Sequence, residues 1–267
     1  DLVRSRGLGD VYKRQAYHVF VGYDSREHVP FKVCSHSITR RSSSPVEITP
    51  VYHRTLRHAK MFYRAWQIDE DGQYWDDVDN RPFSTEFSHT RFLVPEIARR
   101  NNLSGWVLFC DCDFLFLSDV CEVFSYCDDK YPVMCVKHNY DPEETIKMDG
   151  MLQQNYNKKL WSSFVLYNLD HPANDRLDEV MVNSETGANL HNFCWLDSDE
   201  QIGSLPHSWN FIPGVSHGIN NINAVHFSLG GPWLDNYEDS EFAEEWEKEL
   251  DHYEFSQSSF RKIVEIV

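Results

Sequence analysis

The sequence has no hydrophobic run that approaches the roughly 18–20 residues of a membrane-spanning helix, so no transmembrane segment is predicted. Basic residues are also scarce, with 25 Lys and Arg against 42 Asp and Glu and a formal net charge of −17. This balance argues against a nucleic-acid binder, because neutralising phosphates needs a basic face. A small phosphate-bearing ligand stays compatible with the charge, since a bound divalent cation can invert the local sign.

Paired Cys-x-x-Cys motifs, which a zinc site would need, are absent, as are internal repeats and low-complexity linkers. The seven cysteines are an odd number, and Cys110, Cys112 and Cys135 lie in strand-like runs. We therefore interpret them as reduced, buried thiols. What the 267-residue chain does have is aromatic content, with 17 Phe, 13 Tyr and 8 Trp, which predicts a folded globular protein.

The first fifteen residues, Asp1–Gln15, contain neither the apolar h-region nor the small-residue cleavage site of a secretory signal. Asp10–Gln15 instead match the translated transposase end of a sequencing library, and Ser5–Gly9 match the upstream adapter in the same frame. We therefore expect Asp1–Gln15 to be a non-native leader that replaces the natural N-terminus. The alternative is a disordered native leader. Residues 16–267 are expected to form a single domain.

Apolar runs typical of strands alternate with segments of helical periodicity along the rest of the chain. This alternation favours an α/β fold. The segment Asp69–Pro82 is rich in Asp, Gly and Asn and predicts a long surface loop. The predicted strands are Tyr17–Tyr23, Val46–Val51, Trp106–Cys110, Val133–Val136 and Phe164–Tyr167, and the predicted helices are Pro30–Ile38, Ser88–Arg100 and a terminal helix capped by Asp239 and Ser240, with Phe242, Trp246 and Leu250 on one face.

The strongest strand, Trp106–Cys110, is followed directly by Asp111 and Asp113, and the apolar pattern resumes at Phe114. Residues two apart in an extended chain point the same way, so both carboxylates are expected on one side. Two hard oxygen donors at the carboxyl end of a buried strand suit Mg²⁺ or Mn²⁺ that also holds substrate phosphates. The motif therefore predicts a metal site.

Two other interpretations of this motif stay open. The first is a solvated turn with two acidic residues, although a surface turn does not require the apolar runs on both sides. The second is a phosphatase of the haloacid-dehalogenase type, in which the first Asp is a nucleophile at the end of a hydrophobic strand. Such phosphatases carry Thr or Val two residues after the motif, near the N-terminus, whereas this chain has Leu115 in mid-sequence.

A second candidate segment is Ala224–Trp233, with the sequence AVHFSLGGPW. His226 follows a short apolar run, and Gly230-Gly231-Pro232 come just after it. Imidazole is a common metal ligand, and glycine permits close approach of the backbone to a ligand. The segment is therefore typical of a metal or phosphate loop.

Five segments, taken in order, resemble glycosyltransferase family eight, the glycogenin- and lipopolysaccharide-galactosyltransferase-like enzymes of the GT-A fold. The resemblance covers about Val19 to Trp233 and is carried by VFVGYDSREHVPFKVCSHSI, SHTRFLVPEIA, FCDCDFLF, SWNFIP and HFSLGGPW. It implies the GT-A (nucleotide-diphospho-sugar transferase) fold, a Rossmann-like mixed, mostly parallel sheet flanked by helices.

Carried over by position, the resemblance implies that Asp111, Asp113 and His226 coordinate Mn²⁺ or Mg²⁺. The ion would bridge the diphosphate of a nucleotide-sugar donor and stabilise the leaving nucleoside diphosphate. Asp24, with Tyr23 and Arg26 nearby, would face the base or ribose. The remaining donor contacts implied by the resemblance are Arg91, Cys112 and Gly230.

The sugar-facing half departs from the family pattern. The family's closing-loop Lys is replaced by Gly231, and its Phe-Asn-Ser/Ala-Gly strand by 160–163, LWSS. An acidic residue of the family appears here as Lys137, followed by His138, and one of these two is expected to supply the missing positive charge. The family's Asp-Gln pair near the anomeric carbon has an approximate counterpart in Asp199-Glu200, so Asp199, Glu200 and Lys137 are the candidate catalytic residues.

The resemblance thus implies a metal-dependent glycosyltransferase, with a UDP-sugar as the first candidate donor and retention of anomeric configuration. The acceptor, whether a glycan, a lipid-linked molecule or a protein, is not identified by the sequence. The alternative is a catalytically silent nucleotide-sugar-binding protein that has kept the metal half and lost the sugar half. The reduced thiols favour the cytoplasm, and peripheral contact with a lipid-linked acceptor would need no spanning helix.

Overall fold

A computed structural model describes the backbone of residues 16–139 and 158–264, and the side chains of these ranges up to residue 258. The expected non-native leader, Asp1–Gln15, lies outside the described residues. The elements in chain order are β1 (Tyr17–Gly22), α1 (His28–Arg41), β2 (Val46–Val51), α2 (His53–His58), β3 (Trp66–Ile68), β4 (Tyr74–Asp76), β5 (Arg81–Phe83), α3 (Val94–Arg100), β6 (Trp106–Cys110), β7 (Phe114–Phe116), β8 (Val133–Cys135), β9 (Phe164–Asn168), α4 (Glu179–Ser184), α5 (Gly187–His191), β10 (Ile202–Ser204), β11 (Ala224–His226) and α6 (Ala243–Val264).

The main sheet has six strands in the order β10-β8-β9-β6-β1-β2. Strand β9 is antiparallel to both neighbours, and the other neighbouring pairs are parallel. The central strands read as continuous apolar runs because helices and loops cover both faces of the sheet. The predicted α/β fold with a mixed, mostly parallel sheet is therefore confirmed.

Strand β6, an inner strand of this sheet, places the Asp-x-Asp motif at the carboxyl end of the parallel strands β1 and β6. Its residues Val107–Cys110 are completely buried, which explains the unbroken apolar sequence. It pairs with β1 on one side and β9 on the other, and the amide of Asp111 continues the ladder to the carbonyl of Ser163 at 3.0 Å. The carboxyl ends of β1 and β6 therefore meet the start of β9 at one edge.

A second, two-stranded sheet brings distant parts of the chain to that edge. Strands β7 and β11 are antiparallel, and His226 pairs in register with Phe114. Since Phe114 directly follows Asp113, this register sets His226 beside the second carboxylate of the motif. All three side chains of β7 are buried.

The prediction of a surface loop over Asp69–Pro82 was wrong, because this stretch contains β4 and most of β5, which form a three-stranded antiparallel sheet with β3. Its strands have three residues each, and the turns between them contain Gly72 and Asn80, both with positive φ. Turn residues therefore dominate the composition of Asp69–Pro82. The sheet is held by stacking of Tyr74 on Phe83 and by hydrogen bonds from the Gln73 amide to the carbonyls of both.

Two helix predictions need smaller corrections. The expected helix Ser88–Arg100 begins with a 3-10 turn, Thr90–Leu93, before α3. The terminal helix begins at Ala243, so Phe242 precedes it with a φ of 69°. Among the residues whose structure is described, no helix combines the length and apolar character needed to cross a bilayer.

Candidate active site

Asp111, Asp113 and His226 form a cluster in which one ligand atom from each residue lies within 4.8 Å of the others. The two carboxylates come from the β6–β7 connection, and the imidazole comes from β11. His226 is 1% exposed and stacks on the Phe114 ring with a centroid distance of 4.3 Å. The structure thus brings together the three metal ligands implied by the sequence.

Arg91 holds the first of these carboxylates. Its Nη1 donates to Asp111 Oδ1 at 2.8 Å and to the Ser162 carbonyl at 3.1 Å. The guanidinium lies over the rings of Phe87 and Phe109, at 5.1 and 5.4 Å from their centroids. This buried, stacked and hydrogen-bonded setting fixes Asp111 and places Arg91 beside the cluster.

A chain of hydrogen bonds determines which nitrogen of His226 carries the proton. The Ser163 hydroxyl donates to the Leu160 carbonyl at 2.6 Å, so the same oxygen must accept from Asn210 Nδ2 at 3.0 Å. The Asn210 amide is thereby oriented with Oδ1 toward His226 Nδ1, at 2.9 Å. Because a carbonyl oxygen only accepts, Nδ1 must be the protonated nitrogen of a neutral His226.

The lone pair of a neutral His226 is therefore on Nε2, which faces Asp113 Oδ1 at 3.3 Å. In the described part of the chain, this buried nitrogen has no hydrogen-bond partner. A lone pair aimed at a carboxylate oxygen needs a cation between them, either a proton or a metal ion. Metal-bound histidines generally donate their other N–H to a carbonyl or carboxylate, as His226 does to Asn210. Carboxylate oxygens with one imidazole suit Mn²⁺, and the residues present fit such an ion.

A cleft that is open to solvent lies beside this cluster. Its lining includes Arg91, Asp111 and His226 from the cluster. The rest of the lining is made of Pro82, Phe83, Ser84, Thr85, Ser88, His89, Lys159, Leu160, Ser162, Ser163, Gly187, Ala188, His191 and Ser228.

The predicted base- and ribose-facing residues lie at the carboxyl end of β1, outside the lining of this cleft. Asp24 is completely buried and accepts hydrogen bonds from the backbone and guanidinium of Arg26 and from the Glu86 amide. The Asp24 carboxylate oxygens therefore accept hydrogen bonds from groups of the protein itself. Tyr23 is less buried, and its hydroxyl bonds His28 Nδ1 at 3.0 Å.

Cys112 and Gly230, the other predicted donor contacts, also lie outside the cleft lining. Cys112 is buried, and its thiol donates to Glu27 Oε2 at 3.2 Å. Burial and the Glu27 carboxylate raise the pKa of this thiol well above its usual value. Gly230 has a φ of 121° and lies against the Tyr237 ring, so its positive φ serves the loop turn.

The structure does not bring the three candidate catalytic residues to the cleft lining. Lys137 Nζ donates to the Ile202 carbonyl at 2.6 Å, and Asp199 pairs with Lys158 at 2.9 Å on the surface. Glu200 is exposed on the same 3-10 turn as Asp199. Burial is the main cause that lowers the pKa of His138 to about 3, so His138 is neutral at neutral pH and does not supply the expected positive charge.

Four residues of the site had no functional assignment from the sequence. Asn210 lies in the quoted SWNFIP segment, but its role depends on hydrogen bonds that no spacing reveals. Ser162 had been noted as a departure from the family pattern, and the structure puts it in the cleft with Lys159 and His191. These three have no local sequence signal, because the fold alone assembles them.

No family model matches the chain. The chain is 46% identical over 246 residues to protein CDI of Arabidopsis thaliana, and the match covers 90% of this chain and 88% of the relative. It is similar in structure to an active-site mutant of LgtC, with a TM-score of 0.58 and 13% identity, covering 88% of this chain and 95% of that one. It is also similar to the apo form of the glycosyltransferase GlyE of Streptococcus pneumoniae TIGR4, with a TM-score of 0.55 and 16% identity, covering 91% and 64%. The predicted GT-A glycosyltransferase fold is confirmed.

Proposed function

We propose a metal-dependent glycosyl-transfer activity for this chain, which belongs to the family of the Arabidopsis thaliana protein CDI. The reaction moves a sugar from a nucleotide-sugar donor, with UDP-sugars as the first candidates, to an acceptor, with retention of anomeric configuration. The observation that carries the proposal is the cluster of Asp111, Asp113 and His226, with the His226 lone pair aimed at a carboxylate, in a GT-A fold.

Asp111, Asp113 and His226 would hold Mn²⁺ or Mg²⁺, which supplies Lewis-acid stabilisation of the leaving diphosphate when bound. Arg91 keeps the Asp111 carboxylate in place and offsets its charge. Asn210 keeps the imidazole proton on Nδ1 and leaves Nε2 as the ligand atom.

The proposal extends to the donor and acceptor ends of the site. Tyr23, Asp24 and Arg26 form the loop beside the nucleoside, with the backbone at Cys112 and Gly230 near the phosphates. Asp199 and Glu200 are proposed to act near the anomeric carbon, where the sugar passes to the acceptor, and Lys137 is proposed to supply the positive charge of the missing closing-loop Lys. We also propose a cytoplasmic location, as the seven unpaired cysteines favour.

The first test is a calorimetric and thermal-shift screen of UDP, GDP, ADP and CDP, each with and without Mn²⁺. We expect one nucleoside diphosphate to bind when Mn²⁺ is present. Asp113→Asn should abolish this metal-dependent binding, because the amide removes one anionic ligand. Asp128→Asn, which changes a surface carboxylate paired with Lys130, is the matched control and should bind normally. Unchanged affinity in Asp113→Asn would contradict the metal assignment.

Turnover then separates the enzyme from the alternative of a catalytically silent binding protein. An enzyme should slowly hydrolyse its sugar nucleotide even without an acceptor, whereas a silent binder should bind the donor and release no free sugar. The phosphatase interpretation of the Asp-x-Asp motif is tested in parallel. A phosphatase would release inorganic phosphate from simple phosphoesters.

A further inference from the structure

The last helix, α6, packs against the loop Phe227–Trp233, which directly follows the metal ligand His226. Trp246 of α6 is 3% exposed, and its ring centroid lies 5.4 Å from that of Trp233. Trp233 in turn meets Phe227 edge to face, with the ring centroids 5.7 Å apart. Three aromatic rings therefore connect α6 to the residue next to His226.

The beginning of this loop is part of the candidate site. The Phe227 amide donates to the carbonyl of Asp113 at 3.0 Å, and Ser228 lines the cleft. The Gly230 amide then turns the loop back by donating to the Phe227 carbonyl at 2.8 Å. A displacement of the loop would therefore change the edge of the cleft beside the metal cluster.

The loop is shaped around the Trp233 ring. A Cβ atom added at Gly231 would lie closer than 3.0 Å to three atoms of that ring, so the backbone of Gly231 lies flat against the indole. A side chain at position 231 would thus run into Trp233. The segment Phe227–Trp233 contains no charged residue, so it can hold a phosphate only through backbone N–H groups and the Ser228 hydroxyl. The position of this backbone therefore matters for any diphosphate bound there.

Helix α6 is itself anchored to the body of the protein. Glu249 is 1% exposed and accepts hydrogen bonds from Arg40 at 2.8 Å and Arg41 at 2.6 Å, both on α1. His36 Nδ1, also on α1, lies 2.6 Å from the same carboxylate. Residues three apart in a helix are neighbours on its surface, so this anchor lies one turn beyond Trp246. The anchor fixes α6 and with it the ring that packs on Trp233.

We propose that Trp246 is a positioning residue of the donor site, which acts through Trp233 to hold the backbone of Phe227–Trp233 against the diphosphate of the nucleotide donor. This inference rests on the proposed function and names a residue outside the cleft on which donor affinity depends. His226 is held separately, by Asn210 and by the pairing of β11 with β7. Metal binding alone should therefore not depend on Trp246.

The test is calorimetric titration of Mn²⁺ alone and of UDP in the presence of Mn²⁺, at a temperature where circular dichroism shows each variant to be folded. Trp246→Ala should weaken UDP by roughly 3- to 10-fold, the worth of about one hydrogen bond, and should leave the Mn²⁺ affinity within about twofold. Trp246→Phe keeps a ring against Trp233 and should recover most of the loss. Trp233→Ala breaks the same contact from the other side, so adding Trp246→Ala to it should cause no further loss.

Phe124→Ala is the matched control, because it removes an aromatic contact with Tyr17 at the far end of β1. It should lower stability and bind UDP normally. Wild-type UDP affinity in Trp246→Ala, or equal losses of Mn²⁺ and UDP affinity, would overturn the positioning role. If no nucleoside diphosphate binds the wild type in the four-nucleotide screen, the proposed function itself fails. Equal binding of UDP by the wild type and Trp246→Ala refutes this inference alone.

Discussion

Replacement of Asn210 should weaken metal binding without removing any metal ligand. Asn210 is completely buried, and its Oδ1 accepts the proton of His226 Nδ1 at 2.9 Å. In Asn210→Ala, that N–H loses its acceptor, and the imidazole is free to carry its proton on Nε2 instead. The tautomer with the proton on Nε2 cannot donate a lone pair to the ion between His226 and Asp113.

The size of the effect follows from the single bond that is lost. Replacing a partner of a metal-bound histidine usually costs about 10- to 100-fold in metal affinity. This corresponds to about 1.4–2.8 kcal/mol. The cost of leaving a buried donor without an acceptor, about 1–3 kcal/mol, falls in the same range. We therefore expect the Kd for Mn²⁺ to rise by one to two orders of magnitude.

The measurement is direct titration of Mn²⁺ by calorimetry, with the spectrum of bound Mn²⁺ in electron paramagnetic resonance as a second readout. Asn210→Asp is the matched variant, because its carboxylate still accepts from Nδ1 and should keep the metal affinity within a few-fold, although it loses the donor to the Ser163 hydroxyl oxygen. If Asn210 only filled space beside His226, both variants would lose stability and metal affinity together. Wild-type Mn²⁺ affinity in Asn210→Ala, or equal losses in Asn210→Ala and Asn210→Asp, would refute the tautomer argument.

Two further predictions concern buried charges away from the cleft. Burial alone would raise the pKa of Glu249, but hydrogen bonds from Arg40 and Arg41 on α1 lower this pKa from 4.5 to about 2. The ionised carboxylate therefore contributes about 3 kcal/mol to the free energy of unfolding. This contribution is complete above pH 4.5 and is lost as the pH falls toward 2. Urea unfolding at several pH values should show that Glu249→Gln is less stable at neutral pH and has lost this acid dependence; an unchanged acid profile would contradict it. Arg64 forms a two-bond ion pair with Asp76, both about 1% exposed, and Arg64→Ala should cost about 3–5 kcal/mol, because it leaves a buried carboxylate without its cation. The check is to measure the free energy of unfolding of Arg64→Ala and of the double variant Arg64→Ala/Asp76→Leu. The double variant should recover part of the lost stability, because it no longer buries an unpaired carboxylate.

The parts of the fold that were predicted from sequence are those where one residue pattern is enough. Trp106–Cys110 and Val46–Val51 have the predicted bounds, because Gly105 and Asp111 flank the first run and Ser44-Pro45 precede the second. The sheet β3–β5 was missed because each strand has three residues and its stability comes from contacts between strands, such as Tyr74 on Phe83. Short strands carry too little periodicity to be separated from the turns around them.

The metal half of the site could be predicted because its signal is local. Asp111 and Asp113 are two residues apart at the end of a strand, and that spacing alone sets both carboxylates on one side. His226 needed the family resemblance, since its place beside Asp113 depends on the pairing of β11 with β7. The positions expected to act at the sugar, Asp199 and Glu200, have the residue types of the family pattern but lie outside the cleft lining.

The turn 160–163 shows why the sugar half could not be derived in the same way. Ser162 and Ser163 are adjacent and identical, so propensity, burial pattern and spacing treat them alike. The Ser163 hydroxyl donates to Leu160 and thereby orients Asn210 and the proton of His226, which belongs to the metal half. The Ser162 hydroxyl instead bonds His191, and both residues line the cleft. The partner of each hydroxyl is a property of the folded chain, so the sequence alone cannot distinguish the two serines.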